Sequence, residues 1–463
     1  MFHSVEIPLW ALVLLVAFAA VTFASHFLFP SVRWFFRRRA ERVVGRLNAR
    51  LRRPLQPFKL ARRADTIRRL SYDPQVAQAI ADHARDEGVP FDVAFETAQR
   101  YAREIVPGFS ATLYFGVASR MAKWLSRSLY RVRVVRGAQA LNRIDPDATV
   151  VFVMNHRSNM DYVLVTWLMS GQTSLAYAVG EWARRWPLRP LIRAMGGYFV
   201  RRRDLNPLYR KVLARYVQLA TAEGVTQAVF PEGRLSRDGT LHPPKLGILS
   251  YVLDGHDPGG RDVVFVPVAL NYERVLEDRT LIAAAAAGDG REGRFRLRWW
   301  QVARYLFRHL QLWLTGRLRR FGYAAVAYGE PLSLNRWLAD APGDPAQALG
   351  EALMHRIEVV LPVLPLPLVA RALGAGLVEV DAIADRLSAD LSLYRRGHHP
   401  IVLPDQPPRD LVLSALRMLE VRRLLSLDGT KARLTPEAGP ILDFYAATLP
   451  RRAGSQEIPS GIR

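Results

Sequence analysis

Two stretches, ATVVFVM (residues 148–154) and VVFVPVAL (residues 263–270), are apolar at every position but Thr149. Successive side chains of a strand point to opposite faces, so a strand apolar at every position has to be covered on both. That demand excludes an open one-faced sheet and asks for helices above and below. The intervening sequence supplies them. SLAYAV, GGYFV and TQAVF read as further short strands. Helical periodicity fills Tyr162 to Met169, Trp182 to Met195 and Pro207 to about Ala222. Strands alternating with helices predict an α/β domain over residues 131–340.

The flanks are different. From Pro74 to about Arg131 the apolar spacing is helical throughout. Beyond residue 340 the elements are shorter and mainly helical. VVLPVLPLPLVA (Val359 to Ala370) is apolar but too short to span a bilayer. At the N-terminus, Ile7 to Phe29 carries no formal charge with His26 counted neutral, and a helix of that length exceeds the roughly 30 Å of bilayer hydrocarbon. Trp10 and Trp34 bracket it, and arginines crowd residues 33–53. These features predict one transmembrane helix in residues 1–32, with a basic juxtamembrane and helical region over residues 33–130. By the positive-inside rule, the catalytic body of a single-pass inner-membrane protein would then face the cytoplasm. Residues 341–463 form the predicted C-terminal region.

The 463 residues carry a net charge of +23, mostly as arginine, which calls for an anionic partner. Because the basic runs lie beside an apolar segment, a phospholipid membrane is expected and nucleic acid is not. A second basic stretch, GRFRLRWWQVARYLFRHLQLWLTGRLRR (residues 293–320), reads equally as a membrane-surface helix or as a solvated arginine face over a core stripe. With no cysteine in the chain, disulfides, thiolate zinc sites and a cysteine nucleophile are excluded.

The polar residues gather where strands end. VFVMNHRSNMDYVLV places His156 after one apolar run and Asp161 at the start of the next. A histidine at the carboxyl end of a buried strand is where open α/β sheets expose catalytic groups, and its ordinary pKa suits a general base. A nearby aspartate can fix its tautomer and stabilise the imidazolium, the proton coming from a substrate alcohol. Taken alone, such a pair is more often a capping aspartate and a surface histidine, with Ser158 or Asn159 as the helix cap. Two further strand ends alter that balance. GGYFVRRR offers Arg201, Arg202 and Arg203 as phosphate ligands. FPEGRLSRDG offers Glu232, Arg234, Ser236 and Arg237 around a turn at Gly233, with Glu232 able to brace an arginine or the histidine.

NHRSNMDYVLV, GGYFVRRR, FPEGRLSRDGTLHPPKLGIL and VFVPVALNYERVLED resemble, in order, the four blocks of the glycerol-3-phosphate/dihydroxyacetone-phosphate acyltransferase family. YAREIVPGF, AYGEPLSL and LTPEAGPILDFYAATLP extend the resemblance across most of the chain beyond about residue 95. It implies an acyltransferase-type twisted mixed sheet flanked by helices. The implied reaction moves an acyl group from acyl-CoA or acyl-carrier protein to the 1-hydroxyl of glycerol 3-phosphate, with no metal and no cofactor beyond the donor. By position, His156 would be the base and Asp161 its partner. Arg201 and Arg202 would hold the phosphate, and Glu232, Gly233, Ser236 and Arg237 would shape the acceptor site. Pro267 would line the acyl-binding wall, and Arg157, Ser158, Arg234 and Lys245 complete the substrate-binding set. The third block departs from the family pattern, with Leu235 where arginine is usual and Arg234 one step earlier. Alternatives from the residues are acylation of lysophosphatidate or dihydroxyacetone phosphate, or a non-catalytic basic module that binds lipid.

Overall fold

The computed structural model describes residues 42–137, 139–180, 188–201, 205–287, 320–340 and 344–451, with residues 8, 10, 12–16, 38 and 311 besides. Met1–Leu55 and Gln56–Arg463 are two compact units. In the first, residues 42–48 are helical and Leu55 N donates to Asn48 Oδ1 at 2.9 Å. The transmembrane helix expected over Ile7 to Phe29 is corrected here: among the described residues no helix is long and apolar enough to cross a membrane. Trp10 and Leu12 to Val16 are helical and exposed, while the greater part of that stretch, and Trp34, lie outside the described residues. Lack of charge is a necessary condition for a span, but it does not itself specify about 20 residues of continuous helix.

The second unit is built on a mixed sheet. Its strands are β1 (Arg131–Arg136), β2 (Thr149–Met154), β3 (Ala176–Gly180), β4 (Gly197–Val200), β5 (Gln227–Val229), β6 (Val263–Tyr272), β7 (Tyr323–Tyr328) and β8 (Leu332–Ser333). The order is β1-β7-β6-β2-β5-β3-β4, with β8 also on β6. β6, β2, β5, β3 and β4 are parallel, whereas β7 and β8 run antiparallel to β6 and β1 runs parallel to β7. The carboxyl ends of the five parallel strands therefore share one edge with the starts of β7 and β1.

The apolar strands are covered on both faces. Val150, Phe152 and Met154 pack with the helix Met160–Met169 and with C-terminal helices that include Pro365–Gly374 and Gly439–Ala446. Val151 and Val153 point the other way, toward Pro74–Asp86, Phe91–Ile105, Pro207–Ala222 and Pro345–Val359. Pro267 sits in β6 between the residues paired with β8 (up to Phe265) and those paired with β7 (from Val268). The ladder on that side is already broken there, so a strand proline is tolerated.

Local chemistry sets the ends. Pro207 opens its helix behind Asn206, whose Oδ1 accepts from Tyr209 N at 2.8 Å. The proline-rich apolar stretch near residue 360 becomes the buried helix Pro365–Gly374. Of the helix expected at Trp182 to Met195, Leu188–Ala194 is helical and residues 181–187 lie outside the described residues. Nearly all of the basic stretch at residues 293–320 lies outside them too. Within the mainly helical C-terminal region, β9 (Leu425–Asp428) and β10 (Lys431–Leu434) form an antiparallel hairpin.

Candidate active site

β2 ends at Met154, and the chain turns through Asn155 to Asn159 before the helix Met160–Met169 begins. Asn155 ties the start of this turn to β6: its Nδ2 donates to Leu270 O at 2.9 Å, and its Oδ1 accepts from Leu270 N at 2.7 Å. The turn then wraps around one carboxylate. Asp161, with no exposed surface, accepts at Oδ2 from Arg157 N (2.8 Å) and Ser158 N (3.0 Å) and lies 2.9 Å from His156 Nδ1. Its Oδ1 accepts from the Tyr272 hydroxyl at 2.6 Å. Burial, then the Asp161 charge, holds that phenol well above its ordinary pKa, so it stays a donor.

The imidazole is clamped from other sides. Phe230, one residue beyond β5, stacks on it with centroids 4.1 Å apart, and Tyr162 meets it edge-on at 5.4 Å. Glu232 Oε1 accepts from His156 N at 2.8 Å, and Oε2 accepts from His242 N at 3.1 Å. Ser236 N donates to His156 O at 2.9 Å. Glu277 grips the other side of the turn, accepting from Ser158 Oγ (2.7 Å) and Asn159 N (3.1 Å). Burial pushes the Glu232 and Glu277 carboxyls up; the charge of Arg157 opposes this at Glu232, and the hydrogen bond from Ser158 opposes it at Glu277. With Nδ1 engaged by Asp161, Nε2 is the ring nitrogen left to exchange a proton with a substrate. A histidine held this way, with its carboxylate partner buried, is equipped for general-base chemistry on an alcohol.

The family model described as acyltransferase matches residues 132–271, the part of the chain that carries this turn. The glycerol-3-phosphate acyltransferase of Aeromonas hydrophila subsp. hydrophila is 32% identical over 409 residues, covering 80% of this chain and 48% of that protein. The chain is similar to this part of a glycerol-3-phosphate acyltransferase. The glycerol-3-phosphate acyltransferases of Shewanella amazonensis (31% over 279 residues, 59% of this chain and 33% of that protein) and Pseudomonas fluorescens (30% over 363 residues, 73% and 42%) agree. The chain thus spans about half the length, or less, of these curated relatives. The solved 1-acyl-sn-glycerophosphate acyltransferase of Thermotoga maritima aligns at a TM-score of 0.32 and 20% identity over 53% of this chain and 77% of that one, too low for an argument to rest on it.

The residues singled out from sequence fall into three groups. His156, Asp161, Arg157, Ser158, Glu232 and Ser236 lie in one connected, buried cluster. Several of them already have structural partners. The Arg157 guanidinium is 1% exposed and donates to the carbonyls of Gly239 and Thr240 (3.2 Å to the latter). Its Nε and Nη2 have no hydrogen-bond partner among the described residues, and burial lowers its pKa against the opposing charges of Glu232, Asp161 and Asp238. Ser236 Oγ donates to Thr240 O at 2.8 Å. The Ser158 hydroxyl also accepts from Met160 N at 3.1 Å, so the serine supplies the helix-start acceptor, and the Asn159 side chain makes no cap bond.

The second group lies on the loop after β5. Gly233 adopts φ +68°, with the Lys245 side chain laid over it, and Arg234 and Arg237 are half-buried. Leu235 packs against the core. Pro267 stays within β6, in register with Val153.

The third group is at β4. Arg201 meets Glu104 through Nε (2.9 Å) and Nη2 (2.8 Å), and its guanidinium lies over Tyr101 and Tyr209 at 4.9 and 5.1 Å. The hydrogen bonds to Glu104 raise its pKa, against desolvation. β4 is three strand spacings from β2, about 14 Å. Arg202 and Arg203 lie outside the described residues. Reading the sequence for function missed Phe230, Tyr272, Glu277 and Glu104. Tyr272 and Glu277 belong to the block VFVPVALNYERVLED and Glu104 to YAREIVPGF, so motif membership was the available signal.

Proposed function

We propose that this chain transfers a fatty acyl group from an acyl thioester, acyl-CoA or acyl-carrier protein, to the sn-1 hydroxyl of glycerol 3-phosphate. The observation that carries the reading is the buried Asp161 carboxylate, which joins His156 Nδ1, two backbone N–H groups and the Tyr272 hydroxyl. In the reaction, His156 Nε2 takes the acceptor hydroxyl proton as the alkoxide oxygen bonds to the thioester carbonyl carbon. Collapse of the tetrahedral adduct breaks the C–S bond, and the same proton passes to the leaving thiolate. General-base assistance of this kind is worth roughly 10² to 10⁴ in rate. Arg234, Arg237 and Arg201 are the proposed phosphate ligands, since they lie on loops at the carboxyl edge of the sheet. Glu232, Gly233, Ser236, Arg157, Ser158 and Lys245 shape the loops around the acceptor, and Pro267 backs the acyl group.

The proposed place of work is an anionic membrane surface. The net charge of +23 and the exposed apolar residues Trp10 and Leu12 to Val16 support this. Sedimentation with phosphatidylglycerol vesicles tests it, and recovery in the supernatant would overturn it. For the reaction, radiolabelled glycerol 3-phosphate, dihydroxyacetone phosphate and lysophosphatidate are compared as acceptors with both donor types. Glycerol 3-phosphate is expected to be acylated fastest, and His156→Ala to abolish transfer while retaining the wild-type circular dichroism spectrum. Undiminished turnover in that variant would remove His156 as the base.

A further inference from the structure

On the sheet edge that holds His156, a second feature has no part in the chemistry described so far. A cavity of ≈ 1120 Å³ opens between the helix Ser119–Leu129, β1 and the start of β7. Arg120, Lys123 and Arg127 recur at three- and four-residue spacing, so one stripe of the helix lines it, while Ala122, Ser126 and Leu129 on the other stripe are buried. Arg131 and Arg133, two apart and thus on one face of β1, add two cations, and Arg320 a sixth. None of the six forms an ion pair with a described residue. Aromatic rings lie among them. The Arg127 guanidinium is 6.0 Å from the Trp167 ring centroid, Arg131 is 5.9 Å from that of Tyr323, and Trp124 lines the wall.

Charged residues on an edge strand can serve only to prevent sheet-to-sheet pairing. That role needs neither a concavity nor rings between the cations. A lipid surface is broad, and a protein partner needs about 1,000 Å² of matching face, whereas this feature is a concave pocket of the size that takes a small ligand. Several clustered positive charges fit a ligand with more than one phosphate, and half-buried indoles offer a stacking face for a heterocyclic base. From β1 to the His156 strand is three strand spacings, about 14 Å. A pantetheine arm bridges a gap of that order between its nucleotide and its sulfur.

We propose that this groove, formed by the helix Ser119–Leu129 and β1, binds the phosphorylated adenosine end of an acyl-CoA donor while the thioester reaches His156. The proposal rests on the acyl-transfer reading and makes CoA the donor class. It is tested on the full chain by titrating adenosine 3′,5′-bisphosphate calorimetrically, alongside donor kinetics, in wild type, Arg127→Glu, Arg131→Glu and Arg127→Lys. Each reversal is expected to weaken bisphosphate binding about tenfold and to raise KM for acyl-CoA by a similar factor. KM for glycerol 3-phosphate and kcat should stay within about twofold, and Arg127→Lys, which keeps the charge but not the planar guanidinium by Trp167, should weaken binding less than Arg127→Glu does. His156→Ala should bind the bisphosphate normally while transferring nothing.

No bisphosphate binding by wild type, or binding that the reversals leave unchanged, overturns the proposal. So does an equal rise in KM with acyl-carrier protein as donor, or reversals that alter only vesicle binding. If wild type transfers no acyl group to any acceptor, the acyl-transfer reading fails by itself; bisphosphate binding then still decides whether the groove is a nucleotide site.

Discussion

Replacing Asp161 separates the two tasks its carboxylate performs. Asparagine offers one acceptor oxygen. With that oxygen at the Oδ2 position, it keeps the bonds from Arg157 N and Ser158 N and the contact with His156 Nδ1, and its Nδ2 turns to Tyr272. The phenol can rotate to accept, so only one of the original donations, Tyr272 Oη to Oδ1, is lost. A stability loss of about 1–2 kcal/mol follows. The imidazolium, however, loses its neighbouring negative charge, and kcat should fall about 10³- to 10⁴-fold. Asp161→Ala instead orphans Arg157 N, Ser158 N and the Tyr272 hydroxyl in a site without exposure, at about 1–3 kcal/mol each before relaxation. Urea unfolding and initial rates at saturating donor and acceptor measure both effects. An asparagine variant within tenfold of wild-type kcat, or one as unstable as the alanine variant, would refute the reasoning.

Other perturbations probe separate parts of the molecule. Arg201→Ala should raise KM for glycerol 3-phosphate about tenfold with little change in kcat, measured by acceptor titration; an unchanged KM removes Arg201 from the phosphate site. The Glu273 carboxyl is pushed up to about 7, first by burial, while Tyr323 N donates to its Oε2 at 2.7 Å. A raised carboxyl favours folding below its unfolded pKa near 4.5, and that contribution is lost as pH rises to about 7. Glu273→Gln should therefore gain ~3 kcal/mol on wild type across that window and no more above it. Parallel pH–stability curves for the two proteins would sink that assignment. Arg422 Nη2 meets Asp278 Oδ2 at 2.5 Å, both side chains 6% exposed, and Tyr445 donates to the same oxygen. Arg422→Leu should lose about 3–5 kcal/mol in urea unfolding, and Arg422→Leu with Asp278→Leu markedly less; equal losses would show that packing, not the unpaired charge, sets the effect.

The strands were legible because burial on both faces leaves an unmistakable mark: ATVVFVM and VVFVPVAL are β2 and β6, the two central strands. The hairpin of β9 and β10 also left a mark, in the Asp428-Gly429 pair where Gly429 takes φ +59°, but amid helical spacing it went unread. The apolar N-terminal stretch misled in the opposite direction: it reads as a span, yet among the described residues no helix is long and apolar enough to cross a membrane.

The sequence by itself determined the alternation of strands and helices, the covering of the sheet on both faces, and the meeting of His156 with Asp161. Five residues of turn leave those two side chains little choice. Tertiary structure decided everything that arrives from a distance: Phe230 against the imidazole, Tyr272 and Glu277 around the turn, Glu104 on Arg201, and the cations gathered beside β1. Strand order brings these together. Strand order follows from how whole faces pack, which no local pattern of residues encodes.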